Sequence, residues 1–126
     1  MLKNKTKYHR ALPITFLFYD YGTKFKFDPS RFSIKEVINE LYGLEGTLFV
    51  FCLDEDVDEE KVNISITTIT DFDVSEIAKM FNGGGHKGAA GGYFLGSIKE
   101  AHKKIMLAIK IKEKEIKEAV RKFFEI

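Results

Sequence analysis

The feature that most limits how this chain can fold is a glycine-rich segment at residues 81–92, which reads FNGGGHKGAAGG. The three consecutive glycines at positions 83–85 cost conformational entropy on folding and add no side chain to a core. What they allow is a backbone with positive φ, whose successive N–H groups can converge into a nest for an anion. His86 and Lys87 follow directly and would place one titratable and one permanent cation beside those donors. The segment therefore predicts a phosphate site built on a loop.

The same segment has a plainer interpretation. On composition alone it is typical of a loose turn, with His86 as a surface histidine that binds no ligand. Gly88, Ala89 and Ala90 carry at most a methyl group, which would let a bulky ligand lie against the surface. The residues of the segment alone leave both interpretations open.

Composition limits the class of protein to which the chain can belong. Its 126 residues suffice for one domain, and 44% hydrophobic with 31% charged residues is typical of a soluble globular fold. The net charge of +1 excludes a polycation, so any affinity for nucleic acid must come from a local patch. No apolar run approaches the roughly 18 residues that span a membrane. We expect a cytoplasmic protein without a membrane partner.

Several segments have the periodicity of strands. Pro13–Tyr19 and Thr23–Phe27 predict a hairpin, and the nearly continuous apolar run Thr47–Leu53 predicts a strand buried on both faces. Lys61–Ile69 alternates apolar and polar residues, as a half-buried strand does. Tyr93–Leu95 is predicted as a last short strand.

Three capping boxes predict where helices begin. In Ser33–Glu36, Asp73–Glu76 and Ser97–Glu100, the first side chain and the glutamate would satisfy each other's unpaired backbone N–H groups. Gly43 is a natural stop for the first helix, and the last box opens one long C-terminal helix. The predicted fold class is α/β (α+β), a single mixed β-sheet flanked by helices, with the glycine-rich loop after a short helix.

We expect residues 1–10 to form a basic N-terminal arm that frays into solvent, and residues 11–126 to form a single domain.

The glycine-rich segment also matches a known signature. Residues 82–91, NGGGHKGAAG, resemble the GGGGHxxAAG motif of the DHH-associated domain, type one. Residues 73–81, DVSEIAKMF, resemble the short helix of the form VxxIAxxF that precedes this motif, and the resemblance extends over about residues 30–110. That domain is the C-terminal, substrate-binding half of DHH-family phosphoesterases, which include single-strand exonucleases, nano-RNases and cyclic-dinucleotide phosphodiesterases.

The resemblance implies that the glycine loop and its histidine hold the phosphate or terminal nucleotide of a substrate against a catalytic domain. Carried over position by position, it implicates Gly83, Gly84, Gly85, His86, Ala89 and Ala90, to which the residue pattern adds Lys87.

Two positions depart from the family pattern. Asn82 stands where the family has its first glycine, which is a mild change because asparagine tolerates left-handed φ. Thr67 stands where a family arginine would clamp a phosphate with two hydrogen bonds, and a hydroxyl cannot supply that charge.

The family's catalytic metal ligands are missing from the sequence. DHH phosphoesterases hold two metal ions with aspartates and histidines of an N-terminal domain, including an Asp-His-His run that does not occur here. We expect no catalytic residue, metal site or cofactor in this chain, with manganese or magnesium entering only if a DHH domain is supplied. The acidic run at 54–60 is interpreted as a solvated loop rather than a chelator, and Cys52 as a buried, reduced thiol.

The basic C-terminal helix allows two interpretations. Its nine lysines and arginines between positions 99 and 122 form either a solvated face or a rim that guides a nucleic-acid backbone. Phe123 and Phe124 at its end leave room for a homo-oligomer or an interdomain contact.

The predicted function is a nucleic-acid or nucleotide-phosphate binding module that is catalytically inert alone. Its partner would be RNA, single-stranded DNA, a short oligonucleotide or a dinucleotide, between which the sequence does not distinguish. In one alternative, a separate DHH catalytic domain completes a phosphoesterase or exonuclease. In others, the chain binds tRNA, as the similar C-terminal domain of alanyl-tRNA synthetases does, or serves only to dimerise.

Overall fold

The computed structural model describes residues 3–9, 11–20 and 47–125. The strands in these ranges are β1 Lys3–Tyr8, β2 Ile14–Asp20, β3 Phe49–Asp56, β4 Lys61–Thr68, β5 Gly84–Gly85 and β6 Ala89–Leu95. They form one mixed sheet in the order β1-β2-β3-β4-β6-β5. The pair β2 and β3 runs parallel, and the other described neighbours run antiparallel.

The described helices are α1 Ser75–Ala78, which continues into a single 3-10 turn at Lys79–Phe81, α2 Ile98–Ile111 and α3 Glu113–Phe123. The predicted class, a single mixed sheet flanked by helices, is confirmed. Among the described residues, no helix is long and apolar enough to cross a membrane.

The hydrophobic core lies between the helices and one face of the sheet. Alternate residues of β2, β3 and β4 point into it, and so do the apolar stripes of the helices. The largest fully buried side chains are Phe16, Phe49, Phe51, Ile14, Leu53, Ile64, Ile66, Ile77, Ile105, Ile109, Ile116 and Val50.

The central strands follow the prediction. β3 is buried over its first five residues, and Val50 and Cys52 on one face are as inaccessible as Phe49 and Phe51 on the other. β4 alternates between buried and more accessible residues along its whole length. The buried, unpaired thiol of Cys52 is also confirmed.

The prediction of a frayed N-terminal arm is wrong. Residues Lys3–Tyr8 pair with β2 along their full length, from Lys3 opposite Asp20 to Tyr8 opposite Thr15. Backbone groups supply this pairing, so it does not depend on the chemistry of the lysine side chains. A basic composition therefore did not exclude a strand.

The predicted helix starts are met to different degrees. At Ser97 both halves of the capping box form, with the Glu100 amide donating to the Ser97 hydroxyl at 3.1 Å. At Asp73 the box does not form. The carboxylate accepts from the Ser75 amide at 3.0 Å, the Glu76 amide donates to the Asp73 backbone carbonyl at 3.2 Å, and the Glu76 carboxylate pairs with Lys112. The predicted strand Thr23–Phe27, the helix start at Ser33–Glu36 and the stop at Gly43 lie outside the described residues.

The single long C-terminal helix of the prediction is two helices that meet at Lys112. The backbone of this residue leaves the helical region, with φ −96° and ψ 9°. Lys112 is the C-cap of α2 and also the N-cap of α3. Its ammonium group lies 3.3 Å from a carboxylate oxygen of Glu76, which links the junction to α1.

Candidate phosphate-binding site

The glycine-rich segment folds as a hairpin instead of the predicted loop. Strand β5 pairs with β6, with Gly84 opposite Gly91. Beyond this pair, His86 and Ala89 exchange both backbone hydrogen bonds, at 2.9 and 3.3 Å. Lys87 and Gly88 therefore form a two-residue turn at the tip.

This hairpin differs from the predicted nest of converging amides. The amide of Gly83 donates to the carbonyl of Ala78 at 3.0 Å, and the amide of His86 donates to Ala89. Neither amide is free for an anion, so any phosphate bound here must be held by other groups. Asn82 adopts the left-handed conformation, with φ 58°, that was expected for it in place of glycine.

The consecutive glycines are required for different reasons. A methyl group on Gly83 would lie 1.9 Å from the carbonyl oxygen of Gly91, so the close approach of β5 to β6 excludes any side chain. Gly85 has φ 147°, which side-chain-bearing residues rarely adopt. A methyl group on Gly84 would meet nothing within 4 Å. The fold therefore explains Gly83 and Gly85 and leaves Gly84 unexplained.

The rest of the chain holds the tip of the hairpin in place. The amide of Val74, at the start of α1, donates to the carbonyl of Lys87 at 3.0 Å. The amide of Thr68, at the end of β4, donates to the carbonyl of Gly88 at the same distance. The position of His86 is thus fixed relative to both β4 and α1.

The sheet face opposite the core carries the candidate site. Cross-strand partners share a face, so the register of β4, β6 and β5 shows which residues lie there. We call this surface the polar face, and it consists of Lys61, Asn63, Ser65, Thr67, Gly84, His86, Ala89, Gly91, Tyr93 and one exposed apolar residue, Leu95. Its members are exposed or half-buried.

His86 and Thr67 lie beside each other on this face. Thr67 is paired with Ala89 across β4 and β6, and Ala89 is paired with His86 across the hairpin. The position at which the family arginine is replaced is therefore next to the histidine. Ser65 follows two residues along β4, opposite Gly91.

The structure does not bring all the predicted site residues to this face. Ala90 packs against the core from the opposite face, and Gly85 is its partner in the register. Lys87 lines a groove of about 710 Å³ together with Asp73, Lys114 and Glu118. Its cation lies near carboxylates there and does not share the polar face with His86.

The Asp73 carboxylate illustrates the charge balance of that groove. A hydrogen bond from the Ser75 hydroxyl is the main reason that its pKa lies below the ordinary value, and the positive charges of Lys79 and Lys87 lower it further. The groove mixes both signs of charge, so it does not form a strongly basic surface.

Two of the four basic residues of α3, Lys117 and Arg121, pair with nearby acids. Lys117 lies 3.1 Å from Glu113, and the Arg121 guanidinium contacts both Glu118 and Glu125. These exposed pairs favour the interpretation of a solvated helix face over that of a nucleic-acid rim.

The other two histidines lie elsewhere. His9 and His102 line a cleft of about 460 Å³ with Leu12 and Lys103. Burial lowers the pKa of both imidazoles. Within residues 3–9, 11–20 and 47–125, no three histidine, cysteine or acidic side chains are grouped so that they could hold a metal ion.

The sequence did not point to Asn63 and Ser65 of β4 as candidate site residues, and it pointed to Thr67 only as the position of the family arginine. Asn63, Ser65 and Thr67 alternate with buried residues, and this alternation was visible in the sequence. What was not visible was that β6 and the glycine hairpin would pair beside them.

Solved structures with similar folds include those of two bacterial proteins. An exopolyphosphatase-related protein from Bacteroides fragilis superposes with a TM-score of 0.71 at 22% identity, covering 89% of this chain and 33% of its own. A pGpG-specific phosphodiesterase, PggH, from Vibrio cholerae superposes with a TM-score of 0.59 at 13% identity, covering 86% of this chain and 35% of its own. The chain thus spans about a third of the length of these proteins.

No curated protein matches the sequence. Among protein families, the DHHA1 domain matches residues 15–125, a range that includes the whole glycine hairpin and the polar face. The chain therefore belongs to the DHHA1 domain family.

Proposed function

We propose that this chain binds a phosphate of a nucleotide or short single-stranded oligonucleotide on the polar face, at the end where His86 and Thr67 lie. The observation that carries the proposal is that the exposed imidazole of His86 lies beside the hydroxyl of Thr67 and beside backbone that Gly84 and Gly91 leave without side chains. Gly84 is the glycine that the fold does not require, and its open position would let a ligand approach the backbone closely.

The chemistry of these groups suits a phosphate oxygen. An imidazole N–H and hydroxyls of the Ser65 and Thr67 type donate hydrogen bonds, and a protonated imidazole adds a charge-assisted one. Ala89 and Gly91 keep the surface between these donors low. Because the site has a threonine where the family has an arginine, we expect modest affinity.

The proposal assigns Lys87 a lesser part than the sequence suggested. Its ammonium group lines the groove with Asp73 and Glu118, where carboxylates compete with any anion. We expect it to raise the local potential rather than to touch the phosphate.

Catalysis, in this proposal, belongs to a DHH domain that is not among these residues. The match to this chain covers only 33% and 35% of the similar solved chains. Such a domain would hold two metal ions and cleave the phosphodiester, while the DHHA1 domain holds the substrate's phosphate or terminal nucleotide. The chain alone is proposed to bind without turnover.

Calorimetric titration with a 5′-phosphorylated short oligonucleotide tests the proposal. His86→Ala should weaken binding by roughly 1–3 kcal/mol, the contribution of a hydrogen bond to a charged group. Thr67→Arg should strengthen it, because the guanidinium would lie beside the imidazole. Lys104→Ala, which removes an exposed cation from α2, is the matched control and should leave binding unchanged. Equal affinity of wild type and His86→Ala would refute the proposal.

A further inference from the structure

An aromatic side chain lies towards the far end of the polar face from His86, one row before the exposed Leu95. Tyr93 of β6 is 37% exposed, lies opposite Asn63 and holds its ring 5.6 Å from the ammonium nitrogen of Lys61. The next residue, Phe94, packs against the core from the opposite face, so Tyr93 contributes nothing to that core.

Between His86 and Tyr93, the residues of β5 and β6 on the polar face have no large side chain. Ala89 and Gly91 separate Tyr93 from the tip of the hairpin, and Gly84 lies beside Gly91. Ala89, the cross-strand partner of His86, lies four residues before Tyr93 on β6. At the rise of a β-strand, these two positions are about 13 Å apart. This distance exceeds the reach of one nucleotide from its own phosphate to its own base.

The charges at the two ends of the polar face differ. Asp56 of β3 is paired in the register with Lys61, so a carboxylate accompanies the lysine near Tyr93. A phosphate is therefore favoured less there than near His86. A nucleobase is uncharged and has a π-face, so it can stack on the aromatic ring at this end.

We propose that Tyr93 is a stacking platform for a nucleobase, and that the ligand of the polar face is at least two nucleotides long. Its phosphate lies at His86 and the base of a neighbouring nucleotide stacks on Tyr93, with the Asn63 amide placed to bond the base edge. The cation–π contact with Lys61 holds the ring in place. This inference rests on the proposed function for the phosphate end.

Titrations of the full 126-residue chain with three probes test the platform. The probes are the 5′-phosphorylated dinucleotide pApA, its abasic analogue and the mononucleotide pA. Tyr93→Ala should weaken pApA binding roughly 10- to 100-fold, the range expected from losing one stacked base. Tyr93→Phe keeps the ring and should bind as wild type does. Binding of the abasic analogue should not respond to Tyr93→Ala, and pA should bind more weakly than pApA.

Comparison with His86→Ala separates this inference from the proposed function. If His86→Ala weakens pApA binding while Tyr93→Ala does not, the platform is overturned and the phosphate site stands. If Tyr93→Ala weakens it while His86→Ala does not, the platform stands and the phosphate site falls. Equal wild-type affinity for pApA and its abasic analogue also overturns the platform.

Discussion

Gly83 and Gly84 should respond in opposite ways to the same substitution. In Gly83→Ala the new methyl carbon would lie 1.9 Å from the Gly91 carbonyl oxygen and 2.6 Å from the Gly92 Cα, both of them backbone atoms. β5 would have to move away from β6 to relieve the overlap. Overpacking of this kind costs about 3 kcal/mol at the upper end of its usual range. At an unfolding entropy of about 2.1 cal/mol/K per residue, the 126-residue chain would lose roughly 11 °C in Tm.

Gly84→Ala should leave the fold intact. Its methyl group meets nothing within 4 Å, and its φ lies outside the left-handed region, so alanine fits without strain. Because alanine restricts the unfolded chain, the free energy of unfolding should rise by about 0.5 kcal/mol, or roughly 2 °C in Tm.

Thermal unfolding followed by far-ultraviolet circular dichroism measures both effects, and each variant is the control for the other. The reasoning would be refuted if Gly83→Ala unfolded with the wild-type Tm, or if both variants lost the same amount. The first result would mean that β5 does not approach β6 as closely as the structure places it.

Three further predictions follow from buried groups and from the missing metal ligands. Burial, with a contribution from the Asp54 charge, raises the pKa of the Cys52 thiol to about 12, so iodoacetamide should label it only after unfolding in urea; labelling of the folded chain at neutral pH would contradict this. The pKa of His102 is lower in the folded chain than its ordinary value of about 6.5. As the pH falls, the unfolded chain therefore binds a proton at His102 before the folded chain does. The free energy of unfolding should then fall as the pH drops below about 6.5 towards the folded pKa. His102→Phe should flatten this dependence in urea titrations, and an unchanged slope would argue against it. The isolated chain with manganese should release no nucleotide from a short oligonucleotide, and release that persists through controls for contaminating nuclease would disprove inert binding.

Features of the fold that depend on short sequence spacing could be predicted. The capping box at Ser97–Glu100 joins residues three apart, and the alternation in Lys61–Thr68 is contained in a single strand. The role of Lys3–Tyr8 could not be predicted, because it depends on pairing with β2, which a pattern within residues 3–8 does not contain. The break at Lys112 likewise involves Glu76 of another helix, which a local pattern does not contain.

The candidate site shows the same division. The glycine-rich segment and His86 were evident because they are adjacent in the sequence. The sequence could not show that Ala90 packs against the core and lies away from the polar face, because the two faces of β6 are distinguished only by its register with β4. Tyr93 was predicted only as a strand residue, since its position on the polar face depends on that same register.

The location of a bound phosphate is the central claim, and backbone amide chemical shifts of an isotope-labelled chain test it most directly. During titration with a 5′-phosphorylated dinucleotide, the largest shifts should occur at Thr67, Gly84 and His86, on one face of the sheet. Shifts confined to the groove near Lys114 and Lys122, or no shifts at all, would contradict the account.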